Sequence, residues 1–151
     1  MYTFSSKFLG LCLLWACFGS IFANCSKAQV EAADLRWARA IDSNHISTVV
    51  NLYAPQAVLL ATVKDAPIVT RQERINYFKH FFKTYKKAKV VYVGKRYVQV
   101  FNGGAVSSGL YVFSGIKNGK MAEVPARYSF VYRATNRGCE LITHHSSQLP
   151  E

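Results

Sequence analysis

The sequence predicts an α+β fold in which a curved antiparallel sheet wraps around three N-terminal helices. Three observations carry this reading. Apolar residues recur at helical spacing through the first half of the chain. Strict alternation takes over after Ala88, and turn signals at Asn102-Gly103-Gly104, Asn118-Gly119 and Thr135-Asn136-Arg137-Gly138 cut the second half into four antiparallel strands.

Residues 1–23 stand apart from that unit. Lys7 supplies a small positive region, Phe8 to Phe22 an apolar run, and Ile21-Phe22-Ala23 a small-residue cleavage site, which together read as a secretory signal peptide. A membrane anchor is the competing reading. The run is short of the ~20 apolar residues a spanning helix needs, and Gly10, Gly19 and Ser20 interrupt it. Lipidation at Cys17 or Cys25 is a third reading, which Trp15 and Asn24 fit poorly. Cleavage after Ala23 leaves residues 24–151 as a single domain in the periplasm or outside the cell, with no stable membrane span. That length, with a 50% hydrophobic fraction, suffices for a packed core.

Within the domain, Ser26 and Gln29 form a capping box, and Val30, Ala33, Trp37, Ala40 and Ile41 give helix one over about residues 27 to 43. A shorter helix is expected from His45 to Tyr53, with Asn44 as its N-cap and Pro55 just beyond its end. "AVLLATV" follows as a buried strand. Thr70 and Glu73 form a second capping box, opening a third helix whose apolar side is Ile75, Phe78, Phe81, Phe82 and Tyr85. The strands are "VVYVGKRYVQVF", "AVSSGLYVFSGI", "VPARYSFVYRA" and Cys139 to Ser147.

The formal net charge of +11 falls only to +10 when Lys7 leaves with residues 1–23. The densest part is "FKHFFKTYKKAK", which reads either as a solvated helix face or as an attraction for an anionic partner. No nucleic-acid fold signature accompanies it, so nucleic acid is not an expected partner. Cys25 and Cys139 are the two cysteines of the domain. They form either a disulfide pinning the N-terminus to the last hairpin or two free thiols.

Two stretches carry a resemblance. "WARAIDSNHISTVVNLYAPQAVLLATV" and "VPARYSFVYRATNRGCELITHHSSQLP" resemble the opening and the closing hairpin of bacterial proteins related to the association domain of calcium/calmodulin-dependent protein kinase II. The order of elements is similar to the NTF2-like, or SnoaL-like, cone. Cys139 stands where such proteins often carry tryptophan. The resemblance implies a homodimer or larger ring built through the sheet, and a pocket between the concave sheet face and the helices. Members of the superfamily include isomerases and dehydratases, so the fold alone does not choose a function.

Alternation assigns faces within that frame. Tyr128, Phe130 and Tyr132 share one face, expected to be concave, while Arg127, Ser129, Val131 and Arg133 share the other. On the last strand Ile142, His144 and Ser146 fall together, opposite Leu141, Thr143 and His145, unless a bulge inverts the order. His144 is therefore either a pocket residue or a satisfied core histidine, with His145 turned toward a subunit interface. The candidate ligand-binding set is Trp37, Tyr53, Tyr111, Arg127, Tyr128, His144 and His145. Trp37 and Tyr53 are placed on helices over the pocket, where plain core packing is the favoured reading of both, and Arg127 faces either a surface or an anion. Adjacent histidines on a strand point apart, and no HxH, HExxH or Cys/His cluster exists, so neither metal nor cofactor is expected. For catalysis, Asp34 and Asp42 sit on helix one, Asp65 and Glu123 in or near loops, and Glu140 beside a turn. His144 with Tyr128 or Tyr111 is the remaining acid/base pair. The expected function is binding of a small, perhaps anionic, organic ligand by an exported homo-oligomer. The alternatives are a small isomerase- or dehydratase-type enzyme and an oligomerisation scaffold.

Overall fold

A computed structural model describes residues 24–150; the signal-peptide reading of residues 1–23 lies outside the described residues. Helix α1 spans Lys27–Asp42, opened by reciprocal hydrogen bonds between Ser26 and Gln29. Helix α2 is short, Ile46–Val50, and is followed by strand β1, Tyr53–Leu60. Helix α3 spans Arg71–Thr84 behind the Thr70/Glu73 capping box. The strands β2, Lys86–Phe101, β3, Gly104–Lys117, β4, Lys120–Thr135, and β5, Gly138–Gln148, form the meander.

Two local expectations change. Asn44 is not the N-cap of α2. His45 occupies that position, while Asn44, at φ 56°, uses its amide to hold Ala88 through both the N–H and the C=O. Tyr53 does not end a helix but begins β1, because α2 stops at Val50 and a turn at Asn51 and Leu52 leads into the extended run 53–60.

The sheet has five strands in the order β1-β5-β4-β3-β2, and it is mixed, not antiparallel throughout. Hairpins make β2 to β5 antiparallel, and the Asn118-Gly119 turn has both residues at positive φ, 53° and 78°, as a tight two-residue hairpin requires. No hairpin joins β1 to β5, and β1 docks on the free edge of β5 in parallel, pairing Leu59 with His144. Alternation reports a strand but not the direction of a partner distant in sequence, so the parallel pair left no trace in the pattern.

Two bulges shape the concave face. In β5 the register passes from Val131↔Thr143 to Tyr132↔Leu141, so Ile142 is supernumerary and Leu141, 2% exposed, turns inward with His144. Parity alone had grouped Ile142 with His144. In β2, Gly94, Lys95 and Arg96 stand opposite Gly109 alone, and Gly94 takes the φ of +67° that this bend needs.

The helices cover only one face of the sheet. Trp37 of α1 is driven into the centre of the concavity, against Tyr111, Phe113, Phe130 and His144. Cys25 and Cys139 are joined sulfur to sulfur, with Cα atoms 5.7 Å apart, fixing the segment before α1 to the start of β5.

Candidate functional site

The concave interior is built by periodicity from both sides. Val30, Asp34, Trp37 and Ile41 form one buried stripe of α1, while the inward parity of β3 delivers Ala105, Ser107 and Tyr111, and that of β4 delivers Tyr128, Phe130 and Tyr132. Two hydrogen-bonded groups result, separated by stacked rings.

The first is centred on His144. Trp37 Nε1 donates to the Tyr53 hydroxyl at 3.0 Å, and that hydroxyl lies 2.8 Å from His144 Nδ1. The buried Tyr53 proton has His144 Nδ1 as its one acceptor within reach, so satisfying it places that proton on the bond to Nδ1. The imidazole proton then sits on Nε2, facing the Tyr111 hydroxyl at 3.3 Å. Burial pushes the His144 pKa down to about 3, with His145 adding a smaller push in the same direction, so near neutral pH the ring is uncharged. Burial also raises the phenols of Tyr53 and Tyr111.

The second group is centred on Asp34, which is fully buried. Its Oδ2 accepts from Ser107 at 2.6 Å and its Oδ1 from Tyr132 at 2.8 Å. Arg96, delivered by the β2 bulge, lies 3.5 Å from Oδ2 and packs over the Tyr92 ring, and Tyr92 donates to the Asp34 carbonyl at 2.9 Å. Burial raises the Asp34 pKa, while Ser107, Tyr132 and Arg96 oppose that rise. Tyr128, stacked on Tyr111 at 5.0 Å, reaches Ser107 at 3.4 Å and links the two groups.

The structure thus brings together five of the seven candidate residues: Trp37, Tyr53, Tyr111, Tyr128 and His144. Arg127 and His145 are not among them. Both are exposed on the outer face, where Arg127 donates to Ser147 at 2.9 Å and His145 stands opposite Ser129. Sequence reasoning weighed Asp34 only as an acid on helix one, and passed over Ser107, Arg96 and Arg74. Asp34 was visible as the polar member of the α1 stripe, and Ser107 shares the parity of Tyr111. Arg96 points inward only because of the bulge, which alternation does not announce. Buried Arg74 donates to the carbonyls of Ala54, Pro55 and Ala57 in β1.

The interior is filled rather than hollow. The cavity beside Trp37, bounded by Ala33, Tyr132 and Leu141, measures about 40 Å³, little more than one water. The expected pocket under α1 is occupied by the indole itself, because Trp37 projects down the cone axis. Larger clefts open on the rim. One of about 640 Å³ lies between residues 63–68 and α3, lined by Val63, Pro67, Ile68, Asn76, Tyr77 and His80. Tyr77, raised to about 12 by burial, stands close enough to Tyr53 and Tyr111 to raise both of their phenols. Among the described residues no group of three or more His, Cys, Asp or Glu side chains is placed to hold a metal ion.

A family model for the calcium/calmodulin dependent protein kinase II association domain matches residues 26–150. The chain belongs to that family. A solved structure from Xanthomonas campestris, described as an association domain of this kind, is 38% identical, with a TM-score of 0.74 over 82% of this chain and 87% of that one. Two more distant structures share the association domain's fold. An NTF2-like superfamily protein from Salmonella enterica is 17% identical, with a TM-score of 0.72 over 82% of this chain and 91% of that one. A ketosteroid isomerase-like protein from Erwinia carotovora atroseptica is 19% identical, with a TM-score of 0.70 over 82% and 96%. No curated protein matches this association domain.

Proposed function

We propose that this association domain is an exported assembly unit, a homodimer or larger ring whose subunits dock through the outer face of the sheet. The observation that supports it is an uncovered apolar row on that face. Val93 of β2 pairs with Leu110 of β3, and Val91 with Val112. Val91, Val93, Tyr97 and Leu110 remain 61%, 44%, 60% and 41% exposed although the same strands bury their other side. A contiguous apolar patch of this kind marks an interaction surface. Ser108 and Ser129, bonded to each other at 3.0 Å, keep the middle of the face low enough for a second sheet to approach. Arg127 and His145 then form a polar rim. The name of the Xanthomonas campestris relative, an association domain, accords with this reading. The bond between Cys25 and Cys139 supports an oxidising compartment, periplasmic or secreted.

A second reading, binding of a small organic ligand, is favoured by the cleft beside Tyr77. Its volume of about 640 Å³ falls within the ~300–1,000 Å³ of known ligand pockets. The isomerase-type reading has less support, since His144 is committed to Tyr53 and Tyr111 in a packed interior.

Native mass spectrometry of the purified protein separates these readings. The assembly unit gives a discrete oligomer with no retained mass. A bound compound lost on Tyr77→Ala favours the ligand reading, and a monomer at micromolar concentration contradicts the assembly.

A further inference from the structure

The end of α3, the start of β2 and the β3–β4 hairpin bring seven lysines to one end of the molecule: Lys79, Lys83, Lys86, Lys87, Lys89, Lys117 and Lys120. We infer that this end is a docking surface for a linear anionic polysaccharide. Two clefts run through it and share Lys86. One of about 560 Å³ is lined by Asp42, Asn44, Lys87 and Lys89, the other of about 410 Å³ by His80, Lys83 and Asn118.

Three observations set this end apart from an ordinary solvated face. The ion pairs among the described residues use Lys27, Lys64, Arg96 and Arg133, and none uses these seven lysines. Asp42, the carboxylate that lines the first cleft, is committed to the backbone, accepting from Val90 N–H at 2.9 Å. Lys87 adopts a φ of +52°, a left-handed conformation that Gly or Asn takes at less cost, and Asn44 fixes the turn by gripping Ala88. A cation is therefore presented at a position where local folding favours another residue type.

The chemistry of the surface selects the partner. Lysine ammoniums are hydrated point charges rather than planar forks, suited to carboxylate or sulfate groups spaced along a chain. Stacking of nucleobases needs exposed rings, whereas Phe82 is half-buried and the Lys117 ammonium lies over the Tyr85 ring at 5.5 Å. No large exposed apolar side chain lines either cleft, and Met121, 70% exposed on the adjoining hairpin, is a single apolar contact, too little to seat this end in a bilayer.

The test is anisotropy titration of fluorescein-labelled heparin with the purified protein across a series of salt concentrations. Lys83→Ala/Lys86→Ala/Lys87→Ala is expected to weaken binding at least tenfold and to reduce the salt slope by about three. Lys27→Ala/Arg36→Ala/Arg137→Ala removes the same charge from the start and middle of α1 and from the β4–β5 turn, and is expected to weaken it no more than about threefold. Lys87→Gly, which relieves the backbone, should weaken binding while keeping or raising the Tm, so lost affinity is not mistaken for lost folding. Equal losses in the two triple variants, or no binding by the parent, overturn the proposal. Tighter binding to an oligonucleotide, to polyglutamate or to phosphatidylglycerol vesicles than to heparin overturns the assigned class.

Discussion

Tyr53 serves two buried partners at once, accepting from Trp37 Nε1 and donating to His144 Nδ1. Tyr53→Phe leaves both without that partner in the buried interior. The expected loss is roughly 1–3 kcal/mol, measured by denaturant unfolding. His144 also gives stability a pH dependence. Its folded pKa of about 3 lies below the ordinary 6.5, so between those values the unfolded chain binds the proton more readily. Stability from this residue is therefore present above pH 6.5 and falls by about 1.4 kcal/mol per unit as pH drops toward 3. Asp34, raised by burial, works in the opposite sense, gaining relative stability on acidification. Comparison with His144→Gln isolates the histidine: the variant should show a shallower loss between pH 6 and 4, and parallel curves would contradict the lowered pKa that burial gives this residue. At this scale the inward aromatic residues were legible from strand parity. Asp34 was not given its place because an acid on a helix is usually solvent-facing, and here three hydroxyl or guanidinium partners reverse that rule.

Strand β1 depends on helix α3 for its irregular half. Between Tyr53↔Leu141 and Val58↔Thr143, four residues of β1 face Ile142 alone, and the ladder cannot satisfy them. Arg74 supplies what the ladder lacks, donating to Ala57, Pro55 and Ala54 at 2.7, 2.8 and 3.1 Å. Arg74→Leu keeps the packing volume but leaves these carbonyls without a donor. A loss of about 3 kcal/mol is expected, together with faster amide exchange in β1 than in β3 or β4. Arg74→Lys should recover only part of it, since an ammonium cannot span three acceptors in the fork geometry. The capping boxes of α1 and α3 were readable because their signals are local, Ser26 with Gln29 and Thr70 with Glu73. The parallel seat of β1 was not, because its partner strand lies roughly ninety residues away along the chain, and the bulge at Ile142 was not, because alternation carries no mark of a supernumerary residue.

The whole molecule is a closed interior with two open exteriors, one apolar and one basic. The join between Cys25 and Cys139 closes a loop across 114 residues. Cys25→Ser/Cys139→Ser should lower stability by roughly 2–5 kcal/mol while leaving the assembled mass unchanged, because neither sulfur lies on the outer sheet face. The α+β class and the count of four meander strands followed from alternation and turn chemistry, and the cone from the resemblance carried by the opening and closing stretches. The filled interior did not, since a sequence shows that Trp37 faces inward but not how far the indole reaches between Tyr111 and Phe130. The most direct test of assembly through the sheet is sedimentation velocity of the parent protein beside Val93→Glu/Leu110→Glu, which places two like charges opposite each other on the exposed apolar row. The account predicts a discrete oligomer for the parent and a folded monomer for the variant. A monomeric parent, or a variant that sediments as the same oligomer, would contradict it.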